Sequence, residues 1–151
     1  MVTEVFSSDD SRPLSRTGFE TWSSQIAGIL SPYRYFRIVE ATAEVVIAGG
    51  AASQYSCAFN ISNSSSSDSG IVPVLNDDYA AVATAILRPK LKTPKSYWAN
   101  RPVEWYTYSS STDINLSNAG AISLSGSGGA SASTVIGYLV AELVLEFHTL
   151  F

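Results

Sequence analysis

At 151 residues, 46% of them hydrophobic and 15% charged, the chain has apolar mass for one core, and so little charge points to surface buried against other chains. A formal net charge of -4 excludes a globally basic nucleic-acid binder and leaves room only for a local contact. The single cysteine excludes an intrachain disulfide framework, and its place in the alternating run Tyr55, Cys57, Phe59 makes it a small buried hydrophobe rather than a nucleophile.

The chain opens on Met-Val-Thr-Glu-Val-Phe, with no basic n-region and no apolar stretch of signal-peptide length, and no run approaches a membrane span. The expectation is a chain made in the cytoplasm. Residues 1–18 read as an N-terminal segment holding one weak strand over 2–7, and residues 19–151 as a single domain. Between 19 and 30, Phe19, Trp22, Ile26, Ile29 and Leu30 fall on one helical stripe that Pro32 ends. Over 33–47 the odd positions Tyr33, Tyr35, Val39, Ala41, Ala43, Val45 and Ile47 are apolar, which predicts a long half-buried strand closed by Gly49-Gly50. Residues 53–61 alternate again, with Tyr55, Cys57, Phe59 and Ile61 inward. The serine-rich run 62–70 has nothing to bury and is expected to be exposed and mobile.

Asn76-Asp77-Asp78 ahead of Tyr79, Val82 and Ala83 reads as the N-cap of a second short helix, with acids in its positive first turn. Residues 83–92 then alternate as a strand, at an edge or a bulge because of Pro89, with Arg88, Lys90 and Lys92 on one face. Two short strands are predicted at 103–108 and 119–125, and a Gly/Ser connection at 126–133. The last strand is the clearest element. Leu139, Ala141, Leu143, Leu145 and Phe147 alternate with Tyr138, Val140, Glu142, Val144, Glu146 and His148, so one apolar face needs a partner inside a sheet. Seven or eight evenly spaced strands indicate a two-sheet antiparallel sandwich or jelly roll with one or two short helices.

Catalysis finds little support in the sequence. His148 is the one histidine, on the polar face of the last strand, and triad or acid-base chemistry would have to bring it a carboxylate and a nucleophile. Glu142 and Glu146 beside it make a poor zinc set. Gly126-Ser-Gly-Gly129 lacks the Lys-Ser/Thr and helix of a phosphate cradle. The Asn-x-Ser sequons at Asn60, Asn63 and Asn115 are what a serine-rich chain yields by chance. Two sets remain. Arg88, Lys90, Lys92 and Lys95 concentrate positive charge within eight residues, as a sequence-blind phosphate contact would, against the alternative of a salt-bridged strand face. Asp77 and Asp78 could hold a calcium ion at a subunit boundary, against the alternative of helix capping.

The helix Phe19-Glu-Thr-Trp-Ser-Ser-Gln-Ile-Ala, the aromatic-basic entry Tyr33-Arg-Tyr-Phe-Arg-Ile, Trp105-Tyr106, Asn118-Ala-Gly120 and the closing strand 136–147 occur in an order that resembles the shell domain of small icosahedral RNA virus coat proteins of the tombusvirus, carmovirus and sobemovirus type, at satellite size. The resemblance covers about residues 19–147. It implies an eight-stranded antiparallel jelly roll that self-assembles into a shell around a genome, RNA by the same resemblance, with the protein in the virion and no enzymatic activity. It also implies three departures. Such coats carry a basic N-terminal arm, whereas this sequence opens with Glu4 and Asp9-Asp10, so phosphate neutralisation would fall to the basic strand. Asn60-Ile-Ser-Asn63 stands where many carry a calcium-binding Asp-x-Asp cluster, so calcium is not expected there. No sequence follows Phe151 for a protruding domain, which makes the chain resemble either a satellite-sized coat or a processed shell fragment. The alternative from another class is a carbohydrate-binding, lectin-like jelly roll stacking sugars on Trp98, Trp105, Tyr106 and Tyr108.

Overall fold

A computed structural model describes residues 1–22, 24–48, 54–64, 67–99, 104–107 and 116–148. Strands β1 (Val2–Phe6) and β2 (Asp9–Ser15) come first, followed by helices α1 (Arg16–Trp22) and α2 (Ser24–Leu30). The long β3 (Tyr35–Ile47), β4 (Ser56–Ser62), helix α3 (Ile71–Leu75), β5 (Ala80–Thr84), β6 (Lys90–Lys92) and helix α4 (Lys95–Ala99) lead to the two-residue β7 (Tyr106–Thr107). Strands β8 (Asn118–Ser127) and β9 (Val135–His148) close the chain's order. One sheet runs β1-β9-β3-β6, with β7 added on β3, and the other runs β2-β8-β4-β5; every pairing is antiparallel. Leaving β7 aside, eight strands are thus divided between two four-stranded sheets in the jelly-roll order.

The last strand sits between β1 and β3, where its alternation requires partners on both edges. Leu139 and Ala141 are buried, while Tyr138, Glu142, Val144 and His148 point outward. The core between the sheets holds Val5, Leu14, Phe19, Phe36, Val45, Phe59, Ile61, Ile122, Leu124, Ile136 and Leu139. Cys57 belongs to it, and burial pushes its thiol up to about 12, which fits a packing role.

Several expectations change in the folded chain. Residues 1–18 supply a strand to each sheet and bury Val5 and Leu14 completely, so they are integral to the sandwich. β2 was not expected because its run Asp-Asp-Ser-Arg-Pro is polar; it lies at the edge of its sheet, where Pro13 needs no ladder donor. In β3 the inward phase flips. Phe36 and Ile38 are buried at even positions and Ala41, Ala43, Val45 and Ile47 at odd ones, because the pairing with β9 shifts between Ile38 and Glu40. The bulge turns Tyr35, Arg37 and Val39 away from the core. The helical stripe holds for Phe19 and Leu30, but Ile29 is exposed.

Asn76-Asp77-Asp78 does not start a helix. Asn76 is the C-cap of α3, its N–H donating to the Pro73 and Val72 carbonyls, and β5 follows. The strand expected over 83–92 divides into β5 and β6, with Ile86, Leu87 and Arg88 in the exposed connection. Of the strand expected at 103–108, Tyr106–Thr107 pairs with β3; positions 103 and 108 lie outside the described residues, as do Gly49-Gly50.

Candidate interfaces and the polar layer beneath the serine loop

The basic residues do not form one free stripe. Lys90 and Lys92 stand in β6, opposite Glu44 and Thr42 of β3, Arg88 lies in the turn before them, and Lys95 begins α4. Lys92 Nζ lies 3.3 Å from Glu40 Oε1 and an Arg88 guanidinium nitrogen 3.9 Å from Glu44 Oε1. Both pairs are solvent-accessible, so each contributes about 0–1 kcal/mol, but they neutralise two of the four cations. Lys90 and Lys95 make no ion pair among the described residues.

Asp77 belongs to a polar layer on the outer side of the β2-β8-β4-β5 sheet. Residues of β4 and β8 that face away from the core, Asn60, Ser62, Ser123 and Ser125, are nonetheless buried. The serine-rich segment and the turn after α3 cover them. Asn60 Nδ2 donates to Asp68 Oδ2 at 2.9 Å, to Asp77 Oδ2 at 3.0 Å and to the Val74 carbonyl at 3.0 Å, while its Oδ1 accepts from the Ser123 N–H at 3.2 Å. The Asp68 N–H donates to Ser123 Oγ at 3.0 Å. At the other end Asp9 accepts from the Ser125 and Ser69 hydroxyls at 2.7 and 2.9 Å, which holds its carboxyl below the usual range.

The expectation that the serine run buries nothing therefore fails at its two ends. Ser62 is buried in β4, and Asp68 and Ser69 are tied to the sheet. Ser64, Ser67 and Ser69 are exposed, and positions 65 and 66 lie outside the described residues.

Asp77 itself sits in unfavourable electrostatic surroundings. Burial, then a hydrogen bond and charge repulsion from Asp68, then the charge of Asp78 push its carboxyl up to about 6. The amide of Asn60 has two hydrogens for three acceptors, so a proton between the Asp68 and Asp77 carboxyls relieves the shortage. Asp78 is exposed. Among the described residues no three or more His, Cys, Asp or Glu side chains are gathered as a metal site. Asn60 and Asp68 carried no sequence signal of this role beyond their polarity.

The opposite face, outside β3 and β9, carries an aromatic-basic patch created by the β3 bulge. The Arg37 guanidinium lies 4.4 Å from the Trp105 ring centre and pairs with Glu146 at 2.6 Å and Glu104 at 3.6 Å. Trp105 and Tyr35 each pack against His148, at centroid distances of 5.4 and 6.1 Å. The other aromatics named for sugar stacking are placed differently. Trp98 is buried, with its indole N–H donating to Thr93 Oγ1 at 2.8 Å, and Tyr106 is buried against Phe36. Tyr108 lies outside the described residues. Trp105, half-buried, is thus the one member of that set, among the described residues, that is not buried.

The class defined by this geometry is the two-sheet jelly roll found in viral shells, and comparison with solved structures agrees. The X-ray structure of Melon necrotic spot virus is similar over 99% of this chain, with a TM-score of 0.70 at 15% identity. A structure of Tobacco necrosis virus matches 98%, with 0.69 at 12%. A T=1 subviral particle of a Penaeus vannamei nodavirus capsid protein deletion mutant matches 99%, with 0.68 at 13%. This chain spans about half of the Melon necrotic spot virus chain, 54%, but 93% and 95% of the other two. No family model and no curated protein matches the sequence.

Proposed function

We propose that this chain is the shell-forming subunit of a small icosahedral virus coat, which assembles with copies of itself and encloses RNA. The observation that carries this reading is the jelly-roll strand order, matched over nearly the whole chain by virus particle structures. The surface supports it. Ile71 and Val72 of α3 are 49% and 69% exposed, and Ile86 and Leu87 of the β5–β6 connection 97% and 57%, so apolar side chains are available to subunit contacts. Specific contacts of this kind remove roughly 1,200–2,000 Å² from water, and closure lets many weak ones add up.

RNA contact is assigned to Lys90 and Lys95, with Arg88 and Lys92 sharing their charge with Glu44 and Glu40. A calcium ion at Asp77 and Asp78 would need further oxygen ligands from a neighbouring subunit; calorimetry with calcium on assembled and dissociated protein tests it, and heat from the assembled form alone is the expected result. Sedimentation of the purified chain, with its absorbance ratio at 260 and 280 nm, tests shell and cargo together. Changing Arg88, Lys90, Lys92 and Lys95 to Gln should leave shells intact with less nucleic acid. An unchanged ratio at matched salt removes this set from RNA contact.

A further inference from the structure

Two cavities flank the Arg37–Trp105 stack. One, of about 140 Å³, is lined by Tyr35, Trp105 and His148 and presents mostly ring surface. The other, of about 360 Å³, lies between β3 and α4, lined by Arg37, Ile38, Lys95, Trp98 and Glu104 among others. Arg34 stands beside the first, its guanidinium carbon 5.6 Å from the Tyr35 ring centre, and its backbone N–H donates to the His148 carbonyl at 3.2 Å. Arg34 and Lys95 form no ion pair among the described residues.

We propose that the Tyr35–Trp105–His148 niche seats one base of a single-stranded nucleic acid, with Arg34 and Lys95 contacting the phosphates on either side. The inference rests on the nucleic-acid part of the shell reading, shares Lys95 with the basic set and adds a place outside the basic strand. Its logic is chemical. Three aromatic side chains line an open, apolar depression of about 140 Å³, and a base stacks on an aromatic face whatever its sequence. Arg37 is occupied by Glu104 and Glu146 and lies over the Trp105 ring. The cations left over, Arg34 and Lys95, lie at the ends of the patch, as a backbone crossing it requires. Counting Arg34, Arg37 and Lys95 against Glu104 and Glu146, the patch carries one net positive charge among the described residues, on a chain whose formal charge is -4, so an anionic polymer is favoured here over a neutral glycan.

Titration of the intact protein with a fluorescein-labelled twelve-nucleotide oligo(rA) tests the proposal. The parent should bind, and Trp105→Ala should weaken binding about 5- to 150-fold, as loss of one stacked base does. Trp105→Phe should restore most of it, which a general loss of folding would not allow. The double change Arg34→Gln with Lys95→Gln keeps the rings and should reduce the slope of log affinity against log salt by about 1.4, two single-strand phosphate contacts. Equal affinity of parent and Trp105→Ala, an unchanged salt slope, or retention of the parent on a glycan column in place of oligonucleotide binding overturns the niche assignment. Shell formation is read separately by sedimentation. Shells that package RNA with an inert niche refute this proposal alone, and niche-dependent binding without shells refutes only the assembly reading.

Discussion

Asp77 couples the polar layer to pH in a direction that can be worked out. Its folded carboxyl titrates at about 6 against an ordinary 3.8, so the folded protein holds its proton more tightly than the unfolded chain. The contribution is fully present below the ordinary value and is lost as pH rises through about 6; stability should fall across that interval and level off above it. A tenfold tighter hold on a proton corresponds to about 1.4 kcal/mol before solvent screening, which reduces the effect at this partly exposed site. Melting curves from pH 4 to 8 should show that decline, and Asp77→Asn, which mimics the protonated acid, should abolish it and raise the melting temperature at pH 7. A slope that survives Asp77→Asn places the proton elsewhere. Asn60→Ala should destabilise at every pH, by about 1–3 kcal/mol or more, because it strands the Ser123 N–H and two carboxyl oxygens.

At the scale of elements, β9 is the test of the core. Leu139 is 1% exposed, and Leu139→Ala should cost about 2–5 kcal/mol in denaturant unfolding; Val144→Ala, on the outer face, should stay within about 0.5 kcal/mol. Gly137 lies under the β3 backbone, where a Cβ would meet the Val46 carbonyl, so Gly137→Ala should also destabilise, by about 1–3 kcal/mol. Equal losses at Leu139 and Val144 would contradict the inward face. This strand was legible in the sequence because period-two alternation over a long run has one physical solution, a seat between two strands. β4 was legible for the same reason. The bulge in β3 was not, since a single inserted residue leaves composition unchanged while reversing which side chains face in. β2 hid behind its acids: Ser125 and Ser69 satisfy Asp9 from distant parts of the chain, and Arg12 pairs with Asp10 within the strand. Asn76-Asp77-Asp78 misled because Asn caps either end of a helix, and here Asn76 ends α3 while the two acids fall in the turn after it. The candidate sites were legible as residue types, but the glutamates that neutralise Arg88 and Lys92 come from a strand some fifty residues away, and sequence spacing does not show them.

For the whole molecule, assembly through exposed apolar side chains and stability held in the sandwich should separate under mutation. Val72→Glu or Ile86→Asp should leave the melting temperature within a few degrees of the parent while removing large particles from a sedimentation profile, because a charge is buried only when subunits meet. Loss of folding along with assembly would return these residues to the core. The most direct measurement of shell formation is an electron micrograph of the purified chain. Closed, round particles of uniform diameter are the predicted result, and a homogeneous field of monomers or small oligomers, at the concentrations and salts that suit shell formation, would contradict it.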